Sequence, residues 1–152
     1  MRSSVLFLSF VTLCCTAMAA HADDSKATKD EAVAFVKKAI EELKAKGPTE
    51  TFADIMNKSG PYIKGDLYLT AYDTTGKCLA HGQNPVLVGH DLMALKDIDG
   101  TPFIQERIEM GLTKQSFWQS YKYMDPITHT VSPKDAYCEK FDTTLICGGV
   151  YH

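Results

Sequence analysis

Cys78 and His81 stand three residues apart, and a thiol beside an imidazole is the pairing that makes a sulfur nucleophile. The stretch around them reads as a strand, which sends residues three apart to opposite faces, so the two are expected to point away from each other, with Cys78 a buried small apolar residue. Asp97-Ile98-Asp99-Gly100 has the acidic spacing that opens a calcium loop. Its glycine comes too early and no third acidic ligand precedes it, so the plainer reading is a turn before a helix. His81, His90, His129 and His152 lack metal-ligand spacing, and no Cys-x-x-Cys-His run is present. Neither a metal, a covalent haem nor any other cofactor is therefore expected, and no nucleophile, base and orienting group converge to suggest an enzyme.

Charge narrows the choice of ligand. The formal net charge is −3, and the two arginines are Arg2 and Arg107. No basic patch with interleaved aromatics occurs, which argues against a nucleic-acid surface. A bidentate guanidinium clamp on a carboxylate is available only if Arg107 points into a pocket; otherwise Lys or His must supply the charge.

The elements that must position these residues begin after a leader. Arg2, the apolar run Val5 to Leu13, and small residues at Ala17, Ala19, Ala20 and Ala22 follow the order of a secretory signal peptide. The apolar run is shorter than the roughly 20 residues a spanning helix needs, and no second such run follows, so the mature chain is expected to stay out of the membrane. Residues 1–22 are read as the signal, with cleavage after Ala22 ahead of Asp23-Asp24, and residues 23–152 as one domain. Cys14 and Cys15 leave with the signal; lipidation is disfavoured because the residues before them, Leu13 and Cys14, are bulky for a lipoprotein site. The protein is expected in the periplasm or secreted.

Thr28 to Lys46 carries Val33, Val36, Ala39, Ile40 and Leu43 at helical spacing, opened by the capping box Thr28/Glu31 and stopped by Gly47-Pro48. A shorter helix runs from about Glu50 to Asn57. From Asp66 the period becomes two: Leu67, Leu69 and Ala71 alternate with Tyr68, Thr70 and Tyr72. Asp73 to Gly76 is a turn and Lys77 to His81 a second strand; pairing Tyr72 with Lys77 sets Tyr68 opposite His81 and Cys78 beside Ala71, unless a bulge breaks the register. Gly82 to Gly100 is loop-rich, Thr101-Pro102 opens another helix, and strands follow at Phe117 to Tyr123, Lys134 to Phe141 and Leu145 to Tyr151. The fold expected is α+β: a five-stranded antiparallel sheet with the long N-terminal helix on one face and the loop with short helices on the other, leaving a pocket between sheet and insertion.

With Asp142-Thr143 as a two-residue turn, Cys138 faces Cys147 at a non-hydrogen-bonded site, where Cα atoms approach to about 4.5 Å. That is within disulfide range, and an exported protein meets the oxidising conditions that close the bond.

In order along the chain, Gly65-Asp66-Leu67-Tyr68, Tyr72-Asp73 with Gly76, Leu79-Ala80-His81, Asn84-Pro85 with Leu87 and Gly89, Leu95-Lys96-Asp97 with Gly100 and Pro102-Phe103, Trp118 with Tyr121, Pro126, Lys134 with Tyr137, and Gly149-Val150-Tyr151 resemble the single Cache domain, the PAS-like extracellular sensor module of bacterial receptors. The resemblance implies a binding site drawn from Tyr68, His81, Trp118, Tyr121, Lys134 and Tyr137. Polar-tipped aromatics would stack on a small ligand, Lys134 would face a carboxylate and His81 would donate. Each residue has a plainer reading beside that one: Tyr68 and Tyr137 as satisfied core tyrosines, Lys134 as a solvated strand residue. Two departures fall at the expected pocket rim, Gly82 where relatives tend to have proline and Gln115-Ser116-Phe117 where they have glycines. The chain also reaches His152 directly after its last strand, where a receptor would continue into a membrane helix. The expectation is a stand-alone exported domain that captures a small polar organic molecule, with short carboxylates as candidates, without catalysis. The alternative is a ligand-free accessory protein that docks onto a membrane sensor or onto a second copy of itself.

Overall fold

A computed structural model describes residues 26–152; the expected leader and its cysteines lie outside them. The first helix, α1 (Lys29–Lys46), opens on the capping box: the Thr28 hydroxyl accepts from Glu31 N, and the Glu31 carboxylate accepts from Thr28 N at 2.8 Å. Gly47 ends it and Pro48 starts α2 (Pro48–Met56), a little ahead of the expected position because proline already suits a first helical turn.

The sheet has six antiparallel strands. To the five expected it adds β1 (Ile63–Lys64), two residues too short to show a period. The others are β2 (Leu67–Asp73), β3 (Cys78–His81), β4 (Ser116–Met124), β5 (Val131–Phe141) and β6 (Thr144–Tyr151). Their order is β1-β2-β6-β5-β4, with β3 also paired to β2. Between β3 and β4 lie a 3-10 turn (Pro85–Leu87) and α3 (Phe103–Thr113).

Alternation along the strands creates two cores. One face packs Leu69, Ala71, Ala80 and Ile146 under Val36, Ala39, Ile40 and Leu43 of α1. The other packs Tyr72, Cys78, Phe117, Leu145 and the Cys138–Cys147 disulfide under Phe103, Ile104 and Ile108 of α3. The helices form because each carries one apolar stripe, and the sheet between them is the surface that buries both stripes.

The β2–β3 hairpin corrects the expected register. Tyr72 pairs with Cys78, Ala71 with Ala80 and Thr70 with His81, because a bulge at this hairpin sets two residues against one step of β2. Cys78 and His81 therefore lie on the same face, with Tyr72 and Thr70, and Cys78 does not sit beside Ala71. Their separation no longer argues against a thiol nucleophile, but burial does: it pushes the Cys78 thiol up to about 11, so the reactive thiolate is scarce.

Cys138 and Cys147 face each other in the β5–β6 ladder with Cα atoms 4.1 Å apart and a sequence separation of 9. The bond closes a short loop, for which chain entropy gives about 2–3 kcal/mol. Replacing both cysteines by alanine is expected to lower the unfolding free energy by about that amount in a urea titration. A loss below about 1 kcal/mol would mean that packing alone holds the hairpin.

Candidate functional site

The inner stripe of α3 repeats at helical spacing as Phe103, Ile104, Arg107, Ile108 and Gly111, so a guanidinium occupies a position otherwise given to apolar residues. Arg107 is 1% exposed. Its Nε donates to Gln119 Oε1 at 3.0 Å and its Nη1 to the Tyr72 hydroxyl at 3.2 Å. Gln119 is oriented for this because its amide nitrogen donates to the Phe103 carbonyl at 2.9 Å. The guanidinium also lies over the rings of Tyr121, Tyr72 and Phe103, with centroids at 5.0, 5.4 and 5.6 Å. Nη2 is buried and has no partner among the described residues. Arginine keeps its charge at any relevant pH, so this is a buried cation whose Nη2, with its two N–H groups, is unpartnered.

Lys134 of β5 brings a second buried basic group from the other side, at 3% exposure. Its stem crosses Gly149 of β6, where a Cβ would stand 2.6 Å from Lys134 Cε; a glycine is required there for lysine to take this path. Nζ sits 3.9 Å from the Tyr68 ring centroid and 4.5 Å from that of Tyr151, and donates to the Tyr151 hydroxyl at 3.2 Å. That hydroxyl donates in turn to the Met124 carbonyl at 2.7 Å and lies 3.1 Å from the Tyr68 hydroxyl. Burial, then the charge of Arg107, pushes the Lys134 amine well below the usual lysine range, and Asp66 and Asp125 offset only part of this. Among the described residues, no carboxylate forms an ion pair with Arg107 or Lys134.

The rings that Arg107 and Lys134 lie against, Tyr72, Phe103, Tyr121 and Tyr68, help wall a small space of about 10 Å³ together with Thr70, His81 and Tyr123, closed by Leu87, Leu92 and Leu95 of the loop and by Ile104 of α3; Lys134 itself walls a neighbouring space with Tyr68, Thr70 and Tyr121. Tyr68, His81 and Tyr123 also wall an outer cleft of about 250 Å³, with Gln83, Asn84, Met124, Pro126 and His129. The inner space is about one water in size, while the cleft is of small-molecule size. Burial, then the charges of Lys134 and Arg107, holds His81 down to about 3, so its ring is neutral. Burial also raises the Tyr68 and Tyr72 hydroxyls, which therefore remain protonated donors.

Of the six residues expected in a site, Tyr68, His81, Tyr121 and Lys134 meet here. Trp118 and Tyr137 do not. They pair with each other across β4 and β5 on the α1 face, where Trp118 is 39% exposed beneath Lys29 and the Tyr137 hydroxyl donates to Glu139 at 3.0 Å. Strand parity is the reason: Trp118 stands three residues from Tyr121, and Tyr137 three from Lys134, so neither pair can share a face. The same parity groups Tyr72 with Tyr68 and Tyr123 with Tyr121, and it is the signal by which those missed residues were open to recognition.

Both departures at the expected rim also find their place. Gly82 N donates to the Leu69 carbonyl at 2.9 Å, a bond proline cannot make. Gln115 to Phe117 lies away from the cavity, with Phe117 in the core under α3. Asp97 accepts from Asp99 N and Thr101 N at 2.9 Å and from Lys122 N at 3.0 Å, which makes the acidic run a turn tied to β4.

Comparison with known proteins bears on this architecture. The profile of the family described as Single Cache domain 2 matches residues 9–151. A comparison with curated proteins yields no significant match. Among solved structures, a methyl-accepting chemotaxis protein from Vibrio parahaemolyticus RIMD 2210633 is similar at 24% identity and a TM-score of 0.68, over 81% of this chain and 87% of that one. A periplasmic sensor domain of a chemotaxis protein aligns at 18% identity and a TM-score of 0.64, over 80% and 88%. A Cache chemosensory domain described for carboxylic acid recognition aligns at 22% identity and a TM-score of 0.66, over 80% and 91%. At these identities the likeness shows the fold, and among the described residues no helix is long and apolar enough to cross a membrane. The ordered motif set, the strand order and the profile match over nearly the whole chain agree: this chain belongs to the single Cache domain family of sensor modules.

Proposed function

We propose that this domain is exported by removal of residues 1–22 and captures a short organic carboxylate, without catalysis, in the tyrosine-walled space beside Arg107 and Lys134. One observation carries the reading: two buried basic groups lie against the rings that wall that space, and no carboxylate of the described residues is paired with either. An unpaired buried charge costs several kcal/mol, and a bound carboxylate supplies the missing partner together with hydrogen-bond acceptors for the free Arg107 Nη2. The carboxylic acid recognition described for one structural relative supports the same chemistry. The tyrosine hydroxyls and His81 complete the ligand's contacts, while their rings cover its apolar part.

The inner space of about 10 Å³ is smaller than any carboxylic acid. The ligand therefore enters from the outer cleft, parting the shared wall of Tyr68, His81 and Tyr123 and displacing the Leu87 to Leu95 loop from the sheet. In a sensor module such a ligand-coupled displacement is the event that can be read by a partner.

Thermal melting against a panel of short carboxylates is expected to give a saturable rise in Tm. R107M and K134M are each expected to weaken binding by at least about ten-fold, whereas W118F, on the far face, leaves it unchanged. A panel without response, together with self-association or recovery of a membrane sensor partner, would replace capture by the docking alternative.

Binding is also linked to protons. The Lys134 pKa is depressed in the free protein, and a carboxylate beside it favours the charged amine and raises that pKa. Binding is then expected to take up a proton, with affinity falling as pH rises from the amine's depressed pKa in the free protein towards its higher pKa in the complex. Calorimetry in buffers of different ionisation enthalpy measures the uptake, and a pH-independent affinity with no uptake would remove Lys134 from direct contact with the anion.

A further inference from the structure

His81 is held in one tautomer by its own backbone. Its Nδ1 accepts from Gln83 N at 3.2 Å and from Asn84 N at 3.0 Å, so Nδ1 carries no proton and the neutral ring must carry it on Nε2. The ring is fixed in place by stacking on Tyr68, with centroids 5.3 Å apart and planes 26° apart. Nε2 has no partner among the described residues, and the residue walls both the inner space and the outer cleft. It is therefore a fixed donor aimed at whatever lies between Arg107 and the cleft.

The second free donor is Arg107 Nη2. Arg107 is tied to Tyr72, and His81 pairs with Thr70, two residues along the same face of β2. The strand positions beside the two donors are thus neighbours on one face, roughly 6.5 Å apart along the backbone. No Asp or Glu lines either the inner space or the cleft, and the charged groups that face His81 are the cations of Lys134 and Arg107.

Resting on the carboxylate reading above, we infer that His81 selects among short acids: it donates from Nε2 to a second oxygen, a 2-oxo or 2-hydroxy group beside the carboxylate. The site thereby prefers oxygen-bearing acids to plain alkanoates and rejects 2-amino acids. The keto or hydroxyl oxygen accepts the Nε2 proton. An ammonium at the same carbon offers the site no acceptor, meets a donor head-on, and stands beside two cations with no carboxylate to balance it.

The test is an isosteric three-carbon series, propionate, lactate, pyruvate and alanine, measured by calorimetry on the wild-type domain and on two variants. H81N keeps an oxygen near the position of Nδ1 to accept from Gln83 and Asn84, but it cannot reach the ligand. H81Q extends an amide N–H towards the position of Nε2. In the wild type, lactate and pyruvate are expected to bind at least about ten-fold tighter than propionate, and alanine at least about a hundred-fold weaker than lactate. H81N is expected to bring lactate and pyruvate down to whatever affinity propionate shows in the same variant, and H81Q to restore part of the preference. Equal wild-type affinities for propionate, lactate and pyruvate, tight binding of alanine, or a preference that survives in H81N would each overturn the selection by His81 while leaving carboxylate capture intact. If none of the acids binds, the carboxylate reading falls and the inference with it.

Discussion

Arg107 and Lys134 are held in a low-dielectric space whose protein groups offer them hydroxyls, amide oxygen and ring faces but no ion-paired carboxylate among the described residues, with Asp66 and Asp125 acting on Lys134 only from a distance. Burying a cation without an anion is among the costliest arrangements a small domain can keep. Much of the surrounding structure serves to tolerate it. Five of the chain's seven tyrosines, Tyr68, Tyr72, Tyr121, Tyr123 and Tyr151, are gathered around these two groups. Gln119 is oriented by a main-chain carbonyl so that its oxygen faces the guanidinium, and a glycine at 149 clears the path of the lysine stem. The hydrophobic cores on either side supply the stability that this arrangement draws on.

The division of the sheet into two unlike faces makes the arrangement possible. Under α1 the contacts are mainly aliphatic, joined by Tyr62 and Tyr137, with small residues that let helix and strands approach. Under α3 and the loop, one end is a conventional core closed by the disulfide, and the other is polar and aromatic. The covalent Cys138–Cys147 link lies in the same two strands that carry Lys134 and Tyr151, so the hairpin bearing half of the site is the segment held most firmly. The opposing wall, from Leu87 to Leu95, is connecting chain with little regular structure, the part of the fold best suited to move.

For a sensor module this combination suits the proposed capture. A rigid sheet would present fixed donors, and the loop wall would shift to admit the ligand that satisfies them. His81 shows how far the rigidity extends: two main-chain N–H groups decide which of its nitrogens carries the proton, and burial, then the nearby basic groups, keeps it neutral. Recognition then rests on donor positions that do not change across the ordinary pH range, apart from the proton balance at Lys134.

The boundaries of α1, the α+β class, the five main strands and the Cys138–Cys147 pairing were legible because they depend on local chemistry: apolar period, capping residues, and the counting of a two-residue turn. The ordered family motifs, also visible in the chain, led to Tyr68, His81, Tyr121 and Lys134. The tertiary structure decided the rest. The bulge in β3 reversed the face of Cys78, a change of one residue that periodicity cannot detect in a four-residue strand. Packing of α3 against the sheet took Arg107 into the interior, where the sequence alone left open whether it points into a pocket. Trp118 and Tyr137 went to the other face because side-chain direction follows strand parity, not aromatic character. Residue types and their order determine which groups are present and on which elements; whether two of them meet depends on register and packing, which arise from contacts between segments far apart in the chain.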